Sequence, residues 1–138
     1  MKVGYFLDTN ILLYAAAGRA DFPSKFRRAS ALLIEGDFGI STQVLQELFV
    51  NLTTKSTMGP MSAAEAMQWV ERLDTQPCAT VDRALIEVAI GISQRYRIDY
   101  WDGAILAAAE RLGAEIVYTE DLNHGQSYGQ VRVINPFR

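Results

Sequence analysis

The sequence predicts an α/β protein with a mainly parallel sheet and helices on both faces of that sheet. Short apolar segments alternate with longer segments in which apolar residues recur at helical spacing. Several of the short segments are apolar throughout, which is typical of strands that are covered on both faces. Strands that alternate with helices form parallel sheets between helical layers. The expected architecture is therefore a three-layer α/β/α domain.

The composition is that of an ordinary globular domain. The chain has 138 residues, of which 49% are hydrophobic and 21% charged, so it can bury a core. Its net charge of −3 argues against a uniformly basic surface, although a basic patch can coexist with an acidic site. The single cysteine, Cys78, excludes a disulfide framework and a thiolate zinc site. With neither a signal peptide nor a membrane span visible, we expect one domain over residues 1–138, in the cytoplasm and away from membranes.

The first half of the chain contains two predicted strands and three predicted helices. Asp8, Thr9 and Asn10 are suitable N-caps for the first helix, and Gly36 ends the second. In order, the elements are a strand over Val3–Leu7, helices over Ile11–Ala17 and Ser24–Glu35, a strand over Phe38–Ile40 and a helix from Gln43 to about Lys55.

The second half continues the alternation. Ser62 and Glu65 form a capping box, and Asp99 caps a later helix. Apolar spacing assigns Met67 and Val88 to the buried faces of their helices. The elements are a helix after Ser62, a short strand within Thr75–Thr80, helices over Asp82–Arg97 and from Asp99 to Leu112, and strands over Glu115–Thr119 and Val131–Ile134.

Acidic residues follow two predicted strands. Asp8 follows the first strand, and Asp121 follows the strand that ends at Thr119. The carboxyl ends of parallel strands lie at one edge of a sheet, so these carboxylates can be neighbours. Asp102 lies in the first turn of its helix, at the border of the buried face. Each also has an ordinary interpretation: an N-cap for Asp8, an acid that complements the helix dipole for Asp102, and a turn residue for Asp121.

Carboxylates gathered at one edge would raise one another's pKa, and a hard divalent cation such as Mg²⁺ or Mn²⁺ relieves that repulsion. Glu47 is placed differently by its helix. It lies off the centre of the apolar face formed by Val44, Leu45, Leu48 and Leu52. From periodicity alone, we expect Glu47 to face solvent.

Several motifs, in this order along the chain, resemble those of the PIN-domain ribonucleases, and most closely the VapC toxins of bacterial toxin–antitoxin pairs. They are Asp8-Thr9-Asn10 after the first strand, Glu47 in the third helix, Tyr100-Trp101-Asp102 at the start of a late helix, and TEDLNHGQ at residues 119–126. The resemblance covers essentially the whole chain. It implies a parallel sheet of about five strands, endonucleolytic cleavage of RNA that depends on Mg²⁺, with Mn²⁺ as a substitute, a cognate antitoxin, and commonly a toxin homodimer.

The resemblance also implies roles for particular residues. Asp8, Glu47, Asp102 and Asp121 correspond to catalytic acids that bind the metal, and Asn10 and Thr119 to polar residues that support them. This overrules the periodicity-based placement of Glu47. Gly103 stands where such proteins more often have alanine, a departure that affects helix stability more than chemistry. Activated water as the nucleophile would give 5′-phosphate and 3′-hydroxyl ends.

Three other interpretations stay open. The first is a PIN-like nuclease that acts in RNA maturation or on DNA without an antitoxin. The second is a phosphoryl-transfer protein, which the sequence disfavours because Asn10 stands where a phosphatase of the haloacid-dehalogenase type has a second aspartate. The third is an inactive PIN scaffold that binds RNA or a protein partner, against which the intact set of four acids argues. A phosphate-cradling G-x-x-x-x-G-K-[ST] loop is absent from the sequence, which disfavours nucleotide hydrolysis.

Overall fold

The computed structural model describes residues 2–54, 58 and 60–138, and within these residues it contains six strands and six helices. In chain order they are β1 (Tyr5–Leu7), α1 (Thr9–Ala17), α2 (Pro23–Glu35), β2 (Phe38–Ser41), α3 (Thr42–Thr53), α4 (Ala63–Arg72), β3 (Cys78–Ala79), α5 (Arg83–Tyr96), α6 (Tyr100–Arg111), β4 (Ile116–Tyr118), β5 (Ser127–Tyr128) and β6 (Val131–Ile134). Lys55, the predicted end of the third helix, lies outside the described residues. None of the described helices is long and apolar enough to cross a membrane.

The predicted α/β class is confirmed. The sheet order is β3-β2-β1-β4-β6-β5, and every neighbouring pair is parallel except β5 and β6. The sequence predicted about five strands; the additional strand is β5, which forms an antiparallel hairpin with β6. Ser127–Tyr128 is too short to show strand periodicity, and the turn after it uses Gly129 at a positive φ of 63°. β5 is therefore the strand at one edge of the open sheet.

The order of the strands explains the three layers. The first two crossovers move outward from β1 through β2 to β3, whereas the third returns across the sheet to β4. Because such crossovers are right-handed, a reversal of direction places the connecting helices on the opposite face. Accordingly, α1 packs on α2 and α3, and α3 packs on α4, while α6 packs on β2, β4 and β6 and carries α5 outside it. The core lies between these layers, and Phe6, Leu7, Ile40 and Val117 in the central strands are fully buried.

The register of the central strands positions the candidate site. Leu7 of β1 pairs with Tyr118 of β4, so the residues that follow both strands emerge side by side. The backbone N–H of Asp8 donates to the carbonyl oxygen of Tyr118 at 3.2 Å and continues the ladder by one step. Thr119 and Asp8 are consequently neighbours at the carboxyl edge of the sheet, as the parallel pattern predicted.

Local signals placed the helix ends well. The Ser62 hydroxyl accepts a hydrogen bond from the Glu65 N–H at 3.2 Å and donates to the Glu65 carboxylate at 3.1 Å, so Ser62 is confirmed as the N-cap of α4 and Glu65 as its side-chain partner. Gly36 ends α2 in the left-handed conformation with φ of 84°. The burial of Met67 and Val88 was predicted wrongly, since the two residues are 48% and 45% exposed. Both belong to outer helices, α4, which packs on α3, and α5, which packs on α6, and that packing leaves these two apolar residues exposed.

Candidate active site

Asp8 lies at the centre of the site, directly after β1 and at the N-cap of α1. Its side chain is buried, and both carboxylate oxygens are held in place. Oδ1 accepts a hydrogen bond from the Thr9 backbone N–H at 2.7 Å, and Oδ2 accepts one from the Thr119 hydroxyl at 2.8 Å. Asp8 therefore is the N-cap that its position predicted, and it also has a defined orientation toward the end of β4.

Thr119 connects the ends of β1 and β4. Its Oγ1 donates to Asp8 and accepts from the Asn10 side-chain amide at 3.0 Å and from the Asp121 backbone N–H at 3.1 Å. One donated and two accepted bonds use the full hydrogen-bonding capacity of a hydroxyl group. Asn10 Nδ2 also donates to Asp121 Oδ2 at 3.1 Å. Asp8, Asn10, Thr119 and Asp121 thus form one connected network.

Glu47 joins this site from α3. Its Oε1 accepts a hydrogen bond from the Thr9 hydroxyl at 2.7 Å, and its Oε2 accepts one from the Gln43 side-chain amide at 3.3 Å. The periodicity-based expectation that Glu47 faces solvent is therefore wrong, and the family resemblance placed it on the correct side. The helix has a core face and, beside it, a polar face with Gln43 and Glu47 one turn apart. Apolar spacing reveals only the first of these faces.

Asp102 approaches from α6 and is half-buried in the first helical turn. The predicted cap, Asp99, accepts a hydrogen bond from the Asp102 N–H at 2.8 Å, which fixes the start of the helix. The negative charges of Asp121 and Glu47 both act on the Asp102 carboxyl group. The structure consequently brings all four predicted acids to the same edge, together with Asn10 and Thr119.

Burial and neighbouring carboxylates raise the pKa of three acids in the site. Burial is the largest cause that raises the pKa of Asp8, to about 7. The hydrogen bonds from Thr119 and Thr9 lower this pKa, and the charges of Asp121 and Glu47 raise it by smaller amounts. Burial, followed by the charges of Asp99, Asp121 and Glu47, raises the pKa of Asp102 to about 6. The pKa of Asp121 is also raised, again chiefly by burial. The charges that act most strongly on these groups are other carboxylates, which is the condition that a bound cation relieves.

The donor chemistry fits a hard, hydrated cation. Among the described residues, no three acidic, histidine or cysteine side chains are grouped closely enough to hold a metal ion by themselves. Mg²⁺ does not require such a group, because it keeps several waters and usually binds through one or two carboxylates. Asp8 and Asp102 could hold the ion directly, and Glu47 and Asp121 could act through water. Oxygen donors alone also favour Mg²⁺ or Mn²⁺ over softer metals.

Sequence reasoning missed two residues that organise the site. Thr9 is predicted as a possible helix cap and as part of the Asp8-Thr9-Asn10 motif, without a role of its own, yet its hydroxyl holds Glu47. Gln43 is buried and donates to both Glu47 and the backbone carbonyl of Trp101, which links α3 to the first turn of α6. The position of Gln43 one turn before Glu47 was the available signal, but a glutamine carries no chemistry that would have distinguished it from a surface residue.

Comparisons with known proteins agree with this architecture. The family model of the PIN domain matches residues 5–127. A toxin–antitoxin complex from Klebsiella pneumoniae contains a chain that is 21% identical, with coverage of 96% of this chain and 98% of that one and a TM-score of 0.71. A chain of VapBC2 from Rickettsia felis, bound to a promoter DNA fragment, is 18% identical, with coverage of 94% of this chain and 96% of that one and a TM-score of 0.63. A chain of FitAcB from Neisseria gonorrhoeae is 20% identical, with coverage of 96% of this chain and 98% of that one and a TM-score of 0.63. At these identities the solved structures show the shared fold. No curated protein sequence matches the chain.

Proposed function

Because this chain belongs to the PIN domain family, we propose that it is a Mg²⁺-dependent endoribonuclease, with Mn²⁺ as a substitute, and the toxin of a type II toxin–antitoxin system. We further propose that it acts in the cytoplasm as a single domain over residues 1–138. The observation that carries the nuclease proposal is the convergence of Asp8, Glu47, Asp102 and Asp121 at one sheet edge. Burial, with a further contribution from neighbouring carboxylates, raises the pKa of Asp8, Asp102 and Asp121 there. Ionised carboxylates in that arrangement are unfavourable without a cation.

The residues around the acids give them fixed orientations before any ligand binds. The Thr9 N–H and the Thr119 hydroxyl hold Asp8, the Thr9 hydroxyl and the Gln43 amide hold Glu47, and Asn10 holds Asp121. Such preorganisation lowers the cost of placing a phosphodiester for in-line attack. When bound, a divalent cation supplies a water of lowered pKa and positive charge against the charge that develops on the phosphate. Asp8 and Asp102 would hold it, with Glu47 and Asp121 completing its surroundings.

The nuclease proposal is tested by incubating purified protein with single-stranded RNA, with and without Mg²⁺, beside Asp8→Asn and Asp102→Asn. We expect cleavage that requires the metal and falls at least about 100-fold in both variants, the scale on which removal of a central catalytic group acts. Asp74→Asn is the matched control, since Asp74 is exposed and precedes β3 at the opposite edge of the sheet. Equal cutting by all variants would remove the proposed site, and 2′,3′-cyclic phosphate ends would exclude water as the nucleophile.

The toxin proposal is supported by the toxin–antitoxin complexes among the structural neighbours. It predicts that expression of this chain arrests growth and that co-expression of a cognate antitoxin restores growth. Harmless expression of a protein that cuts RNA in vitro would instead favour the alternative, a PIN-like nuclease that acts in RNA maturation or on DNA without an antitoxin. A protein that arrests nothing and cuts neither nucleic acid would be a binding scaffold. We also propose a homodimer, which light scattering of the purified chain would test.

A further inference from the structure

Glu120 lies between Thr119 and Asp121 of the site, and its side chain is bonded to residues of α1 and α2. Tyr14 Oη donates to Glu120 Oε1 at 2.7 Å, and Lys25 Nζ donates to Glu120 Oε2 at 2.9 Å. Both carboxylate oxygens are thus occupied, one from α1 and one from α2. Lys25 also donates to the Tyr14 hydroxyl at 3.2 Å, which closes a three-membered network.

The network is partly protected from solvent. The side chains of Lys25 and Glu120 are 35% and 24% exposed, whereas those of the ion pair between Lys2 and Glu115 are 67% and 73% exposed. The Lys25 ammonium also lies 4.8 Å from the centre of the Tyr14 ring and 5.4 Å from that of Phe137. A partly buried ion pair that belongs to a hydrogen-bonded network holds its partners in place more firmly than an isolated exposed pair.

Two residues on one face of α1, Asn10 and Tyr14, contact the turn that carries Asp121. Asn10 and Tyr14 are four residues apart in α1 and therefore lie on one face of it. Asn10 Oδ1 accepts from the Glu120 N–H at 3.4 Å, and Asn10 Nδ2 donates to Asp121 Oδ2. Tyr14, together with Lys25, holds the side chain of Glu120. The turn is consequently held at two places, by Asn10 at Asp121 and the Glu120 backbone and by Tyr14 and Lys25 at the Glu120 side chain.

We propose that Lys25 and Tyr14 are positioning residues that act through Glu120 to hold Asp121 in place for the metal ion. The inference rests on the proposed function for its consequence in catalysis. Its structural part, the placement of the turn at residues 119–121, is independent of that function. It also assigns Glu120 to this support, outside the set of residues that hold the metal.

Three substitutions separate positioning from simple charge. Lys25→Met makes the region more negative, Glu120→Gln makes it less negative, and Tyr14→Phe leaves its charge unchanged. If only charge matters, the first should bind Mn²⁺ more tightly, the second more weakly, and the third as the wild type does. If positioning matters, all three should weaken Mn²⁺ binding, by about tenfold, the lower end of what loss of a residue supporting a metal ligand produces. The double variant of Lys25→Met and Glu120→Gln should be no weaker than either single variant.

The experiment measures Mn²⁺ affinity by calorimetry without RNA, and the ¹⁵N resonances of the metal-free protein. We expect the Asp121 backbone amide and the Asn10 side-chain amide to shift in all three variants. The control is Lys2→Met, which removes the exposed ion pair to Glu115 with the same change of charge. Lys25→Arg, which keeps the charge and a donor, should restore most of the affinity.

The outcomes distinguish this inference from the proposed function. Opposite changes of affinity in Lys25→Met and Glu120→Gln, or amide resonances at their wild-type positions, would overturn it. Shifted amides with wild-type Mn²⁺ affinity would overturn its metal-binding part. If the wild type bound no Mn²⁺ and cut no RNA while the amides shifted as expected, the support of the turn would stand and the proposed nuclease function would fail.

Discussion

Replacement of Asp8 by asparagine should change the pH dependence of stability in the metal-free protein. The Asp8 carboxyl group has a pKa raised from 3.8 to about 7, with burial as the largest cause. Between about pH 4 and about pH 7, the Asp8 carboxyl group of the folded state therefore keeps a proton that the same group has released in the unfolded state. Stability from this group is fully present below the unfolded pKa and is lost as the pH rises through the folded one.

The size of the effect follows from the two pKa values. Between about pH 5 and about pH 8, ionisation of buried Asp8 should cost the wild type roughly 2–3 kcal/mol of unfolding free energy. Asp8→Asn removes that ionisation. It also replaces one of the two acceptor oxygens with an NH₂ group, so either the Thr9 N–H or the Thr119 hydroxyl loses its acceptor, at a cost of about 1 kcal/mol that does not depend on pH. The difference in stability between variant and wild type should thus move in favour of the variant by roughly 2–3 kcal/mol across this range.

Urea unfolding at the two pH values, in buffer stripped of divalent ions, measures this difference. Asp74→Asn, at an exposed position, should track the wild type at both. Added Mg²⁺ should reduce the pH dependence of the wild type, because a cation favours the ionised carboxylate, and should leave the variant nearly unaffected. A variant that is destabilised equally at both pH values would refute the assignment of a raised pKa to Asp8.

Three further substitutions test the surrounding structure. Thr119→Val should cost about 1–3 kcal/mol in urea unfolding, because it strands buried polar partners, and should lower RNA cleavage more than that loss explains. Gly103→Ala should destabilise by about 1–3 kcal/mol despite better helix propensity, since its Cβ would lie 2.7 Å from the Ala89 carbonyl oxygen; a raised melting temperature would contradict this. Glu47→Gln should abolish RNA cleavage with circular dichroism unchanged, whereas exposed Glu71→Gln should retain activity.

Much of the fold could be predicted from local sequence, since local rules govern it. Ser62 with Glu65 and the glycine at position 36 end or begin helices through hydrogen bonds and backbone angles that depend only on near neighbours. The proximity of Asp8 and Asp121 was predictable for a different reason. Parallel strands bring their carboxyl ends to one edge whatever the details of packing.

The position of Glu47 was decided only by tertiary structure. Its helix turns one face to the core and another to the start of α1, and only the first face has a periodic apolar signal. The exposure of Met67 and Val88 has a related cause, because a helix in an outer position buries less of its apolar face than spacing suggests. The short β5 strand forms by pairing with β6 and has no signal of its own.

The sequence by itself therefore determined the alternation of strands and helices, their caps and the edge at which the first and last acids meet. Tertiary structure decided which polar side chains face that edge. Thr9 meets Glu47 across 38 positions of chain, and Lys25 meets Glu120 across 95. The physical reason is that hydrogen bonds between distant residues depend on how a helix is placed relative to another helix or to a turn, and the periodicity within the helix carries no information about that placement.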